Sequence, residues 1–399
     1  MQYTKFALAA LTAAVLAGCG GSGGGDQTLK VKYTAQVSFG DSLSDVGSYA
    51  VGTVAALKGG KFTINGDNTA INPELTGKNG TGHLAAQFGL PAPCAAETGL
   101  EGNAAQGFSV ARVKKAGCYG YAMGGSRVTN PVGPNNRLAG SALGALTVPV
   151  TTQIANHLAA SGGKFSGTEV VFVMAGGKDL LFQLGSLQAA ATAAGTAAGS
   201  ATFASTLIPL LAAGATNPAT AGAAITAPVR TASAAPGATT TTIVQAAVGT
   251  AAVQPGNSAV ASAAVYGPMV TTAQTAATAA GAKGGADYAA ANGPALMTAM
   301  GTAGTELVAL VKDQVIAKGA THVVVNNLPD VANTPSGLSK DASTKALINA
   351  MVSAFNTQIS TGLAANDKVL LVDVFAVSHD QATNPGPYGL TNVKEPACD

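Results

Sequence analysis

Short apolar runs, each closed by a turn former, recur along the chain. Gln36–Phe39, Tyr119–Met123, Val170–Met174, His322–Asn326 and Val369–Phe375 have a Gly, Asn, Pro or Asp at or close to their ends, the pattern of strands buried on both faces. Helical spacing fills the gaps between several of them. Leu307, Val308, Val311 and Val315 share one face before Gly319 stops the turn, and the next apolar run follows at once. Leu347, Met351, Phe355 and Ile359 mark a second amphipathic helix, with Asp341 placed to cap it. Helix followed by buried strand, repeated, predicts an α/β chain with a mainly parallel sheet of five strands covered on both faces. In such sheets chemistry gathers at the carboxyl ends of the strands.

One stretch departs from this rhythm. From Leu187 to about Ala299 the chain is dominated by Ala, Thr and Gly with few charges. A structureless loop of that length would be unusual in a compact domain, so Ala-rich helices are expected, broken around Pro228–Thr242. The stretch carries no recognisable chemistry and no fixed repeat. It reads as a surface insertion, with a lid beside the site as the functional alternative.

Composition adds limits. Hydrophobic residues make up 47% and charged residues 10%, so material for a core is ample. A net charge of +2, scattered basic residues, 5% aromatics and no Trp leave no footprint for nucleic acid and no stacking platform for bases.

The N-terminus reads as a signal segment over 1–18: Lys5 is the positive region and Phe6–Leu16 the apolar one, too short to span a membrane. Leu16-Ala17-Gly18-Cys19 resembles the lipobox of bacterial lipoproteins, which implies lipid on Cys19, a flexible glycine tether and a folded domain from about residue 35. The alternative is an ordinary signal peptide with a chance Cys. Export permits disulfides, and Cys94 and Cys118 close a short loop fit to pair. Cys398 is then left over.

The candidate chemistry starts at Val37-Ser38-Phe39-Gly40-Asp41-Ser42-Leu43-Ser44-Asp45. It puts a serine just past a buried strand, on a turn that Gly40 allows to be tight. A hydroxyl so placed is a nucleophile if a base takes its proton and backbone amides meet the oxyanion. Three further blocks follow apolar runs: Tyr121-Ala122-Met123-Gly124-Gly125-Ser126-Arg127, Gly176-Gly177-Lys178-Asp179, and Asn326-Asn327-Leu328-Pro329-Asp330.

In these four blocks, in this order over Val37–Pro335, the chain resembles the GDSL family of SGNH hydrolases. The resemblance implies a three-layer α/β/α sandwich of flavodoxin-like type that cleaves esters, lipids and acylated sugars without a cofactor. It also implies Ser42 as nucleophile, and the amides of Ser42 and Gly125 as oxyanion donors; a glycine at 125 lets backbone approach substrate closely.

Two departures from the family pattern stand out. The third oxyanion donor is an Asn in the family, and here Lys178 holds its place. That lysine is open to three readings: a cationic donor, the base of a Ser-Lys pair, or an ion-paired lysine beside Asp41 or Asp179. The family's last block, Asp-x-x-His, is absent from the chain. His83, His157 and His322 fall in a helix, an amphipathic helix and at a strand start, where structural roles are expected. His379, near Asp373 and Asp380, follows the last apolar run, but its third preceding residue is Ala376. In relatives, chain beyond the equivalent of Cys398 carries a second Cys and the Asp-x-x-His block, so the sequence is expected to stop early; His379 as a substitute base is the opposing reading. No His or Cys pair has metal-ligand spacing. The expectation is a lipid-anchored envelope serine ester hydrolase; its rival is a non-catalytic lipoprotein on the same fold that holds acyl or glycan ligands.

Overall fold

The computed structural model describes residues 31–63, 74 and 76–396; the signal segment, Cys19, the glycine tether and Cys398 lie outside them. Six strands form two sheets among the described residues: β1 (Gln36–Gly40), β2 (Glu97–Glu101), β3 (Ser109–Lys114), β4 (Val170–Met174), β5 (His322–Asn326) and β6 (Val369–Val372). The main sheet is parallel, in the order β1-β4-β5-β6, with Gln36 beside Val170, Val170 beside His322, and Val323 beside Val369. All of β1 and nearly all of β4 are buried, whereas β5 alternates between buried and partly exposed positions and Leu370 of β6 is exposed. A small antiparallel pair, β2 and β3, stands apart and was not visible in the sequence pattern.

The expected fifth strand is absent. Tyr119–Met123 runs along the free edge of β1, but the amides of Tyr121 and Ala122 both donate to the carbonyl of Ser38, at 2.8 and 3.2 Å. Two consecutive amides on one acceptor break the alternation a strand requires, so the edge is irregular and the main sheet has four strands. The last expected run is shorter than its apolar pattern. Strand β6 stops at Val372 because the Asp373 side chain accepts from the Ala376 amide and starts a helix.

The helices are α1 (Gly52–Ala56), α2 (Gly80–Gln87), α3 (Val150–Ala160), α4 (Gly177–Ala212), α5 (Pro218–Ala234), α6 (Thr240–Ala252), α7 (Ala263–Ala309), α8 (Pro335–Leu338), α9 (Ala342–Leu363) and α10 (Val374–Thr383). Helix α7 continues through a π-helical segment, Leu310–Ile316, into β5. Asp341 caps α9 as its sequence position suggested, accepting from Thr344 N.

The Ala-rich stretch folds into helices separated by short turns. Its outer members, α4 with 36 residues and α7 with 47, are the sheet's own crossover helices, lengthened until they leave the body as an arm. The break falls after Ala234, between α5 and α6, whereas Pro228 sits inside α5. At the far end a second core forms from Phe203, Leu207 and Leu211 of α4, Ile225 and Val229 of α5, and Val244 and Val248 of α6. The main core joins Phe39, Val171, Leu180, Met300, Leu307, Val325 and Phe355. Cys94 and Cys118 are disulfide-bonded.

Candidate functional site

The turn after β1 is shaped by what surrounds Gly40. Its φ is +142°, and a Cβ there would run into the carbonyl oxygen of Met174 on β4, so only glycine fits. The buried side chain of Gln153, on α3, then clamps the turn: Gly40 N donates to its Oε1 at 2.8 Å, and its Nε2 donates to the carbonyls of Gly40 and Val148 at 2.9 and 2.8 Å. Asp41 N donates to the Met174 carbonyl. The next residue, Ser42, is partly exposed at the carboxyl end of the sheet.

Asp45 links this turn to the glycine pair. Its buried carboxylate accepts from Gly47 N, Ser48 N, Ser48 Oγ and, at 2.8 Å, Gly124 N. Met123 N donates to the Gly40 carbonyl at 3.1 Å. On the other side of the pair, Tyr49 OH donates to Gly124 O at 2.7 Å and accepts from Thr147 N. Burial pushes the Tyr49 phenol up and keeps it a neutral donor. Gly125 has φ +83°, and a Cβ on it would sit 2.6 Å from Pro134 O and 2.7 Å from Thr147 Cγ2. Thus the Ser42 and Gly125 blocks are fixed to one another through Asp45.

The third block joins them through α4. Asp179, in the first turn, accepts from Arg127 Nε at 2.9 Å and from Val128 N at 3.0 Å, with Arg127 also lying over the Phe182 ring. A Cβ on Gly177 would lie 3.4 Å from the Asp41 carboxylate. Burial pushes the Asp41 carboxyl up from 3.8, and the nearby Lys178 ammonium pulls it back. Burial likewise raises Asp179, opposed by Arg127. Lys178 is therefore close enough to Asp41 to act on its charge, but among the described residues it makes no salt-bridge contact to Asp41 or to Asp179, whose ion pair is with Arg127.

The fourth block holds a pair that sequence reasoning missed. Asp330 is buried, and its Oδ2 lies 2.6 Å from His379 Nδ1 on α10 and 2.6 Å from Asn333 Nδ2. Asp330 and His379 are 49 positions apart, and no spacing rule joins them. Asn327, next to it, donates to Asp373 Oδ1 and accepts from Phe375 N. His157 is buried among Phe39, Tyr121 and Phe165, and burial pushes its pKa down. His83 lies on α2 beside Gln87, and His322 opens β5 against Tyr33. Among the described residues, no hydrogen bond joins Ser42 Oγ to a histidine.

Gln153, Asp45 and Arg127 were also missed. Asp45 sits inside the quoted first block and Arg127 in the second, so only their partners were hidden. Gln153 is one polar residue on an amphipathic helix and gives no sequence signal. Chemically, the assembled elements offer a partly exposed hydroxyl at a strand end, a glycine amide region tied beside it, and one cation on the adjoining helix start. Compared with known proteins, the chain matches no family model and no curated sequence.

Proposed function

We propose that the protein is a serine ester hydrolase of the GDSL type, with Ser42 as nucleophile and the amides of Ser42 and Gly125 as oxyanion donors. One observation carries this: Asp45 holds the Ser42 turn and the Gly124–Gly125 turn together, so the motif elements that the resemblance pairs share one sheet edge. In the reaction, Ser42 Oγ attacks the ester carbonyl and forms a new acyl–oxygen bond. The alcohol leaves carrying a proton in place of the serine's, and water then releases the acid and restores the hydroxyl. Lys178 holds the sequence position of the third donor, and its charge acts on Asp41, the neighbour of Ser42. On this reading the irregular Tyr119–Met123 edge takes the position of the fifth SGNH strand, and lipid on Cys19 holds the protein at the cell envelope.

A second reading, an acyl- or glycan-holding protein on the same scaffold, is favoured by the lack of a histidine hydrogen-bonded to Ser42 among the described residues. A fluorophosphonate probe separates the two, because it bonds only to an activated serine. Labelling of the folded protein that disappears in Ser42→Ala is expected. A folded protein that takes up no probe makes the ligand-holding reading the right one.

A further inference from the structure

Helices α4 and α9 both pack on α7 but diverge from one another, leaving a groove of about 1530 Å³ between them with α7 as its floor. Sites for compact small molecules hold about 300–1,000 Å³. The groove is larger, elongated and mostly apolar. Leu181, Leu184 and Leu187 line one wall and Leu347 the other, while Gly285 and Gly293 keep the floor low. Its lined stretch of α4, Leu181 to Gly199, is about 27 Å long, the reach of a long-chain fatty acyl group.

Along the chain, the groove's lining begins just beyond two of the candidate blocks. Leu181 and Gly185 lie three and seven positions beyond Lys178, which is the spacing of one helix face, so the lysine heads the same face that lines the groove. Val331, which also lines it, directly follows Asp330. Among the described residues the lining carries only two charged side chains, Lys340 and Asp341, and the Asp341 carboxylate is occupied in capping α9. A cation at the head and an uncharged apolar length behind it complement a carboxylic ester on an unbranched alkyl chain.

We propose that this groove holds a long unbranched acyl chain, its carbonyl end toward Lys178 and the Ser42 turn. The proposal rests on the hydrolase reading for the orientation of the chain, and on the groove alone for its binding. It makes the Ala-rich helices the determinant of acyl length.

The two readings part in the test. Ser42→Ala protein is titrated with cis-parinaric acid, a fatty acid whose fluorescence rises on leaving water; saturable binding is expected, with hexanoate a poor competitor. Outside its own helix, Gly185 has no atom within 4 Å of the place its Cβ would take, so Gly185→Phe starts its side chain in open space at the groove. It is expected to weaken binding about tenfold or more, while Gly185→Ala retains it. No saturable binding, or equal binding by the Phe variant with an unchanged circular dichroism spectrum, overturns the groove. Fluorophosphonates with short and long alkyl chains then test the orientation in the wild-type protein. Faster labelling by the long chain, lost in Gly185→Phe, is expected. Equal rates overturn the orientation; absence of any labelling sinks the hydrolase reading and leaves the parinarate result to stand by itself.

Discussion

Asp41 and Asp45 occupy one buried turn and are compensated in different ways. Asp45 accepts four hydrogen bonds, whereas Asp41 has one, from Leu43 N, and relies on the Lys178 charge. Since burial raises the Asp41 pKa above 3.8, its folded form holds a proton more tightly than its unfolded form. Its contribution to stability is therefore fully present below that value and is lost as pH rises through the folded pKa. Lys178→Met removes the opposing charge and raises the folded pKa further. The variant should match the wild type near pH 3.8 and fall behind it as pH increases, by about 1.4 kcal/mol for each unit of added shift. Urea unfolding across pH measures this, and the gap should close in an Asp41→Asn background. A gap that is the same at every pH means that Lys178 acts on something else. At this scale the sequence exposed Ser42, Gly125 and Lys178, because each falls inside a block with its own turn signal. It hid Gln153 and the Asp330–His379 pair, since a contact between distant side chains leaves no local trace in composition or period.

Elements were legible where burial imposes a period. The strands β1, β4 and β5, α9 with its cap, and the final turns of α7 all follow apolar spacing. Tyr119–Met123 has the same composition as a strand, but its pairing is settled by backbone bonding to Ser38, which side chains do not encode. The arm was legible only as helix, because uniform Ala, Thr and Gly mark no face. Its exposed hydroxyls turn inward: Thr196, Thr271, Thr275 and Thr302 each donate to the carbonyl four residues back, so the helices need little charge to stay satisfied. Glycine then determines where they touch. A Cβ on Gly195 would meet the Gly281 carbonyl at 2.6 Å, backbone against backbone, whereas one on Gly185 meets nothing outside its own helix within 4 Å. Gly195→Ala should therefore cost about 1–3 kcal/mol by forcing α4 from α7. Gly185→Ala should gain about 0.5–1 kcal/mol from helix propensity alone. Chemical denaturation of the two variants checks the contrast, and like-signed effects would contradict the close crossing.

At the scale of the whole molecule, the two cores are joined by little besides α4 and α7. Arg230 is the only charged residue between Asp179 and Lys283, and the α4–α7 crossing between the cores is made of alanine and glycine. Both helices are apolar and long enough to cross a membrane by length and composition, yet here they pack on each other, and α7 packs on α9. A glycine crossing buries little apolar side chain per turn, so it transmits less stabilisation than either core holds within itself. Two unfolding transitions follow from that imbalance. Ile225→Ala empties a fully buried site in the distal core and Phe355→Ala one in the main core, each at about 2–5 kcal/mol. Calorimetry should show the first variant lowering one transition and the second lowering the other. Hydrogen exchange should localise the Ile225→Ala loss to α5 and α6. A single transition displaced alike by both substitutions would mean that the crossing couples the arm rigidly to the sheet. The groove would then be a fixed slot with no independent opening of the arm to admit its ligand.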